Sequence, residues 1–131
     1  TSTTDSAGYD FYAPANVCFE KGKSTLVPTG IRSKIDECWV LSIYPRSGLG
    51  FKHRCQLDNT VGIIDSDYYN SSNEGHIMIK ISCDAHDDSH KAEVLAGDGF
   101  AQGIFTQFGI TVDDDTNGVR DGGFGSTTES K

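Results

Sequence analysis

HIMIKIS, residues 76–82, alternates apolar and polar side chains without a break. Ile77, Ile79 and Ile81 fall on one face, and Met78, Lys80 and Ser82 on the other. That period of two is the signature of a β-strand with one face in a core. CWVLSIY (residues 38–44) and GFAQGIF (residues 99–105) are also short and strand-like. Turn signals separate such stretches: Lys21-Gly22-Lys23, Thr29-Gly30, Asn73-Glu74-Gly75 and Asn117-Gly118. Several short strands in 131 residues, with fifteen glycines, predict an all-β fold, a sandwich or jelly-roll barrel. One short helix is expected after Pro45, over residues 47–54, with Ser47 placed to cap it. It reads equally as a connector or as a phosphate-facing helix end. No internal repeat or linker divides the chain.

The length suits one domain with one core. A net charge of −8 argues against nucleic-acid binding, which needs a basic face. An acidic chain that binds a polyphosphate needs local cations, so Mg²⁺ is the expected cofactor of any such site. No apolar run approaches the roughly 18 residues of a membrane span, so no membrane partner is expected. No basic-plus-apolar leader opens the sequence, and the expected location is cytoplasmic, or the interior of a host cell if the source is viral. The four cysteines at 18, 38, 55 and 83 include no CxxC pair, which argues against zinc. They read as free thiols, mostly buried in strands.

The tail reads RDGGFGSTT over residues 120–128. Such a glycine-rich stretch cannot pack a core. Alone it reads as a disordered end. It can also wrap a ligand, with backbone N–H groups near phosphates, Phe124 flat against a base and Arg120 near an anion. Four further motifs accompany it: AGYDF (7–11), PRSGLG (45–50), DNTVGIIDSDY (58–68) and GDGFAQGIF (97–105). Five motifs in this order, GIIDSDY among them, resemble the trimeric dUTPase family over nearly the whole chain.

The resemblance implies a β jelly roll of residues 1–119, closed by a mobile C-terminal arm of residues 120–131, and a further strand upstream of Thr1. It implies a homotrimer whose three chains share each site, and conversion of dUTP to dUMP and pyrophosphate. Asp65 takes the catalytic role, orienting a water and accepting its proton. On its own residues, Asp65 reads with Asp67 as a turn acid of a β-hairpin. Asn59 and the backbone around Gly62 are implied to hold uracil in that hairpin, too tightly for a 5-methyl group. Tyr68 is implied to lie under the sugar and block a 2′-hydroxyl, while Tyr69 reads as a cross-strand aromatic. Arg46, Ser47, Gly48 and Gln102 are implied to meet the phosphates. Arg120, Phe124, Gly125 and Ser126 of the arm are implied to close over the nucleotide. Asp10 is implied to hold Mg²⁺ through water.

Three departures from the family pattern stand out. Only Asp121 separates Arg120 from Gly122, a shift of one position. Gly99 stands where the fourth motif usually has a basic residue, so a salt bridge is expected to be missing. YNSSNEG, residues 69–75, is longer than the usual link and predicts a surface loop beside the site. Other signals read as ordinary loops: DDDTNG (113–118) lacks the closing Glu of a calcium loop, and HDDSH (86–90) has loop-like composition. Asn70-Ser71-Ser72 fits a glycosylation acceptor, but no secretory signal precedes it. Two rival readings are a dCTP deaminase of the same fold and a dUTPase-fold regulator that binds a protein partner. The third motif offers no Glu for deamination, and intact Asp10, Asp65 and arm argue against lost activity.

Overall fold

The computed structural model describes residues 5–84 and 91–113. In chain order the elements are β1 (Tyr9–Tyr12), β2 (Val17–Glu20), β3 (Ser24–Pro28), β4 (Trp39–Pro45), α1 (Ser47–His53), β5 (Cys55–Leu57), β6 (Gly62–Ile64), a 3-10 turn (Ser66–Asn70), β7 (Met78–Cys83), β8 (Lys91–Val94) and β9 (Gly99–Gln107). The all-β expectation with one short helix holds. Among the described residues no helix is long and apolar enough to cross a membrane.

The strands form three sheets ordered β1-β9-β4-β6, β2-β8 and β3-β7-β5, and every named pairing is antiparallel. The alternation that opened the sequence reading is realised between β3 and β5. Ile77, Ile79 and Ile81 are buried at 0, 1 and 0% exposure, while Lys80 between them faces out. They join Phe19, Phe100, Leu41, Ile43 and Val27 in one core. Burying a side chain of that size contributes roughly 1.5–3 kcal/mol, so the sheets are held to each other chiefly through this cluster. Three of the turn signals also hold, and the fourth, Asn117-Gly118, lies outside the described residues. Gly22, Gly30 and Gly75 all have φ between +72° and +77°, a region open to glycine at little steric cost.

Two expectations need correction. Helix α1 begins at Ser47, but Arg46 is its N-cap, and no side chain caps it. Pro45 at the end of β4 keeps the chain extended, so Ser47 enters the first turn instead of preceding it. The cysteines are not all free. Cys55 and Cys83 are register partners of β5 and β7 and form a disulfide. The two residues lie 28 apart in sequence, and only strand register makes them neighbours. Cys18 and Cys38 are free thiols but exposed, not buried.

Phe19 is fully buried on β2. Phe19→Ala is expected to lower unfolding free energy by about 3–5 kcal/mol, measured by urea denaturation at fixed protein concentration. A loss under about 1 kcal/mol would show that the cluster does not carry the fold.

Candidate active site

Register assembles the first group of functional side chains. Asp10 on β1 is paired with Gln102 on β9, and Gln102 with Tyr44 on β4. Directly paired residues share a face of the sheet, and these three form a row on the side opposite the buried Phe11, Ala101 and Ile43. Arg46 follows at the end of β4. Its N–H donates to the carbonyl of Phe100 at 3.2 Å, and its Nε lies 3.8 Å from Oδ1 of Asp10. Motifs one, two and four therefore meet in one place.

Two glycines make that meeting possible. A Cβ at Gly99 would lie 2.6 Å from Nη1 and 3.0 Å from Cδ of Arg46. A Cβ at Gly8 would lie 2.7 Å from Oε1 of Gln102. The missing basic residue at 99 thus has a structural counterpart. Arg46 lies over the bare backbone of Gly99 and supplies the cation next to Asp10. Ser47 and Gly48 are exposed at the start of α1, directly after Arg46.

The third motif is not a paired hairpin, which corrects the expectation. β5 pairs with β7 and β6 with β4, so the two arms enter different sheets. One bridge, Leu57 to Thr60, closes the turn between them, with Thr60 at φ 69°. Asn59 is exposed at the tip. Gly62 packs against Ile43 and Leu57, where a Cβ would come within 3.2 and 3.4 Å. Asp65 ends β6 with extended backbone and heads the 3-10 turn, its carbonyl accepting from the N–H of Tyr68 at 3.1 Å.

Asp65 lies far from Arg46 within one chain. It follows Ile64, the partner of Leu41 at the beginning of β4, whereas Arg46 follows Pro45 at its end. At about 3.3 Å per residue the strand separates them by roughly 15–20 Å.

The segment after Asp65 is more ordered than a plain surface loop. Tyr68 is buried at 4% exposure. Its hydroxyl donates to the carbonyl of His76 at 2.6 Å and accepts from Nδ2 of Asn73 at 2.8 Å. Ser71 donates to Oδ1 of Asn73 at 2.6 Å and accepts from the N–H of Gly75 at 3.2 Å. Tyr69 is not a cross-strand aromatic. It sits in the 3-10 turn, with the Arg32 guanidinium 3.6 Å above its ring and Nη2 of Arg32 donating to its carbonyl at 2.7 Å.

Sequence reasoning gave Asp58 no role. The Ser82 hydroxyl donates to its carboxylate, Ser82 shares a 2.8 Å bond with Ser24, and Lys80 stands 3.8 Å away. Its N–H also donates to the Lys80 carbonyl at 2.9 Å. Asp58 thereby fastens the turn carrying Asn59 to β7. Ser82 is 24 residues downstream, and only strand pairing could have pointed to it. The expected roles of Arg120, Phe124, Gly125 and Ser126 fall outside the described residues, as does the HDDSH stretch.

A family model described as dUTPase matches residues 1–128. The deoxyuridine 5′-triphosphate nucleotidohydrolase of Lactococcus lactis subsp. lactis (strain IL1403) is 38% identical over 130 residues, covering 96% of this chain and 84% of that protein. The crystal structure of the Streptococcus mutans dUTPase aligns with a TM-score of 0.73 at 33% identity, covering 87% of each chain. A dUTPase from phage phi11 of S. aureus, described as revealing the coordination of a structural Mg(II) ion, aligns with a TM-score of 0.67. It covers 90% of this chain and 88% of its own, and at 18% identity it bears on the fold alone.

Asp58 makes the site's turn sensitive to acid. Chiefly the Ser82 hydroxyl, opposed by partial burial and helped by Ser24 and Lys80, holds its carboxyl below the ordinary 3.8. A lowered folded pKa contributes stability that is present above the unfolded value and lost as pH falls through the folded one. Asp58→Asn is therefore expected to destabilise the protein at neutral pH and to approach wild-type stability once the pH is low enough to protonate Asp58 in the folded protein, by urea unfolding across the acid range. A stability gap independent of pH would remove Asp58 as its source.

Proposed function

The chain belongs to the dUTPase family, and from that premise we propose how its residues convert dUTP to dUMP and pyrophosphate. One observation carries the reading most directly. The first, second and fourth motifs converge on one row of the outer sheet face, with Asp10, Arg46 and Gln102 together. That is a binding place for a polyphosphate built by strand register.

The triphosphate lies along this row. Arg46 offers its guanidinium, Ser47 its hydroxyl and Gly48 its backbone N–H, and Gln102 donates from β9. Asp10 would hold Mg²⁺ through water, since that ion keeps several waters and needs few protein ligands. When bound, the ion neutralises phosphate charge next to the single carboxylate of this row. Uracil is held by Asn59 and the backbone of the turn before Gly62. Asp65 accepts a proton from a water as the water oxygen bonds to the α-phosphorus. The bond from the α-phosphorus to its bridging oxygen breaks, and pyrophosphate leaves with that oxygen. The carboxylate holds the water in line and raises its nucleophilicity, work worth roughly 10²–10⁴ in rate. Arg120, Phe124, Gly125 and Ser126 close over the nucleotide, with Phe124 on the base.

The 15–20 Å between Asp65 and Arg46 along β4 supports a site shared between chains, and the assembly proposed is a homotrimer. Phe105, Phe108, Ile110 and Val112, all exposed within eight residues of sequence at and after the end of β9, support the same reading, since exposed apolar side chains suit self-association. The third motif offers no Glu to serve deamination, which leaves hydrolysis as the better fit.

Asp65→Asn is expected to keep the fold and nucleotide binding while kcat falls about 10²–10⁴-fold, read by pyrophosphate release. Turnover within a few-fold of wild type would reassign the base. Refolding Asp65→Asn and Arg46→Ala chains together, each inactive alone, tests the shared site. Random mixing into trimers should restore about one site in four. No recovered activity would place each site inside one chain.

A further inference from the structure

We infer that Asn73, in the segment that lengthens this chain after its third motif, is a positioning residue for Tyr68 and thereby sets discrimination against ribonucleotides. The inference rests on the reading of Tyr68 as the wall that faces the sugar 2′-position. It goes beyond it in assigning the wall's rigidity to residues 71–76.

The hydrogen bonds run in one direction. The N–H of Gly75 donates to Ser71, the Ser71 hydroxyl to the Asn73 amide oxygen, the Asn73 amide to the Tyr68 hydroxyl, and the Tyr68 hydroxyl to the His76 carbonyl. Both partners of the phenol therefore come from this segment. His76 is fixed in turn, its Nε2 accepting from the N–H of Gly30 at 3.0 Å. Gly75 folds back on the backbone of the gate, since a Cβ there would lie 2.9 Å from the carbonyl oxygen of Tyr68 and 2.7 Å from Cα of Tyr69. Arg32 also holds Tyr69, at its backbone carbonyl and over its ring.

A rigid wall matters for this substrate pair. dUTP and UTP differ by one hydroxyl, and a pocket that merely adjoins an added hydroxyl rejects it by only about 10²-fold. A ring free to swing aside gives part of that back. A phenol held by a donor and an acceptor cannot move without breaking a bond, so the cost of admitting a 2′-hydroxyl includes that bond. The family motif supplies the ring, and the inserted segment holds it.

The test compares kcat/KM for dUTP and UTP in wild type, Asn73→Ala, Tyr68→Ala, Tyr68→Phe and the Asn73→Ala/Tyr68→Phe pair. Asn73 is exposed, so its truncation leaves no core cavity. Ser71→Ala, which frees the Asn73 amide, is the second variant. Asn73→Ala is expected to narrow the dUTP/UTP ratio about three- to tenfold, mainly by raising the UTP value. Ser71→Ala should narrow it in the same direction. In the Tyr68→Phe background, which lacks the hydroxyl, Asn73→Ala should add nothing. An unchanged ratio in Asn73→Ala while Tyr68→Ala narrows it overturns the inference and leaves the gate standing. Equal narrowing in both backgrounds also overturns it, because the effect would not pass through the phenol. If Tyr68→Ala leaves the ratio intact, the gate itself fails and this inference with it.

Discussion

Strand β9 is the constraint on which the rest depends. It is nine residues long and lies between β1 and β4, so its register fixes both neighbours. Gly103 stands where Tyr9 and Ile43 flank it, and a Cβ there would meet Leu41 at 2.8 Å and Phe11 at 3.1 Å. The bare backbone lets these core side chains close over the strand. Slipping the register by one residue would turn every side chain to the other face. Ala101 would turn away from the core side of the sheet, and Gln102 would leave Asp10. Core packing and site assembly are thus one requirement, met by the same hydrogen-bond ladder. The irregularity between Phe11 and Tyr12 lies just beyond the Asp10 pairing and leaves it undisturbed.

Much of the architecture was legible because period two is a local signal. Alternation marked β7, short strand-like stretches marked β4 and β9, and glycine-containing turns marked where strands end. The buried isoleucines of β7 followed directly from HIMIKIS. What stayed hidden depends on pairing between distant segments. Nothing in the spacing of the cysteines says that 55 and 83 face each other. Nothing near Asp58 announces Ser82. The split of the third motif between two sheets was hidden for the same reason, since a turn flanked by apolar residues suggests that its own arms pair. Of the site, the motif order carried Asp10, Arg46 and Gln102 correctly to one place. Their support by Gly8 and Gly99 needed coordinates, because an absent Cβ matters only when its neighbours are known.

Gly99 shows how a departure from a family pattern can be read physically. A basic residue there would occupy the space over which Arg46 now lies. The chain instead places its cation from the end of β4, across the backbone of β9, toward Asp10. Arg46 belongs to the second motif, so the charge next to Asp10 comes from β4 and does not depend on residue 99.

The disulfide gives the third motif and its extension an unusual mechanical status. Cys55 and Cys83 bracket Asp58, Asn59, Gly62, Asp65, Tyr68 and Asn73, so the part of the chain read as choosing the base and sugar is a covalent ring. Closing a loop of 28 residues restricts the unfolded chain by about 3–4 kcal/mol. That restriction grows only logarithmically with ring size, about 0.6 kcal/mol for each doubling. A ring can therefore gain a few residues, as residues 69–75 illustrate, at little entropic cost and without shifting the strands outside it. On the proposed reading, selectivity would reside in a module that can be lengthened while its anchor points stay fixed.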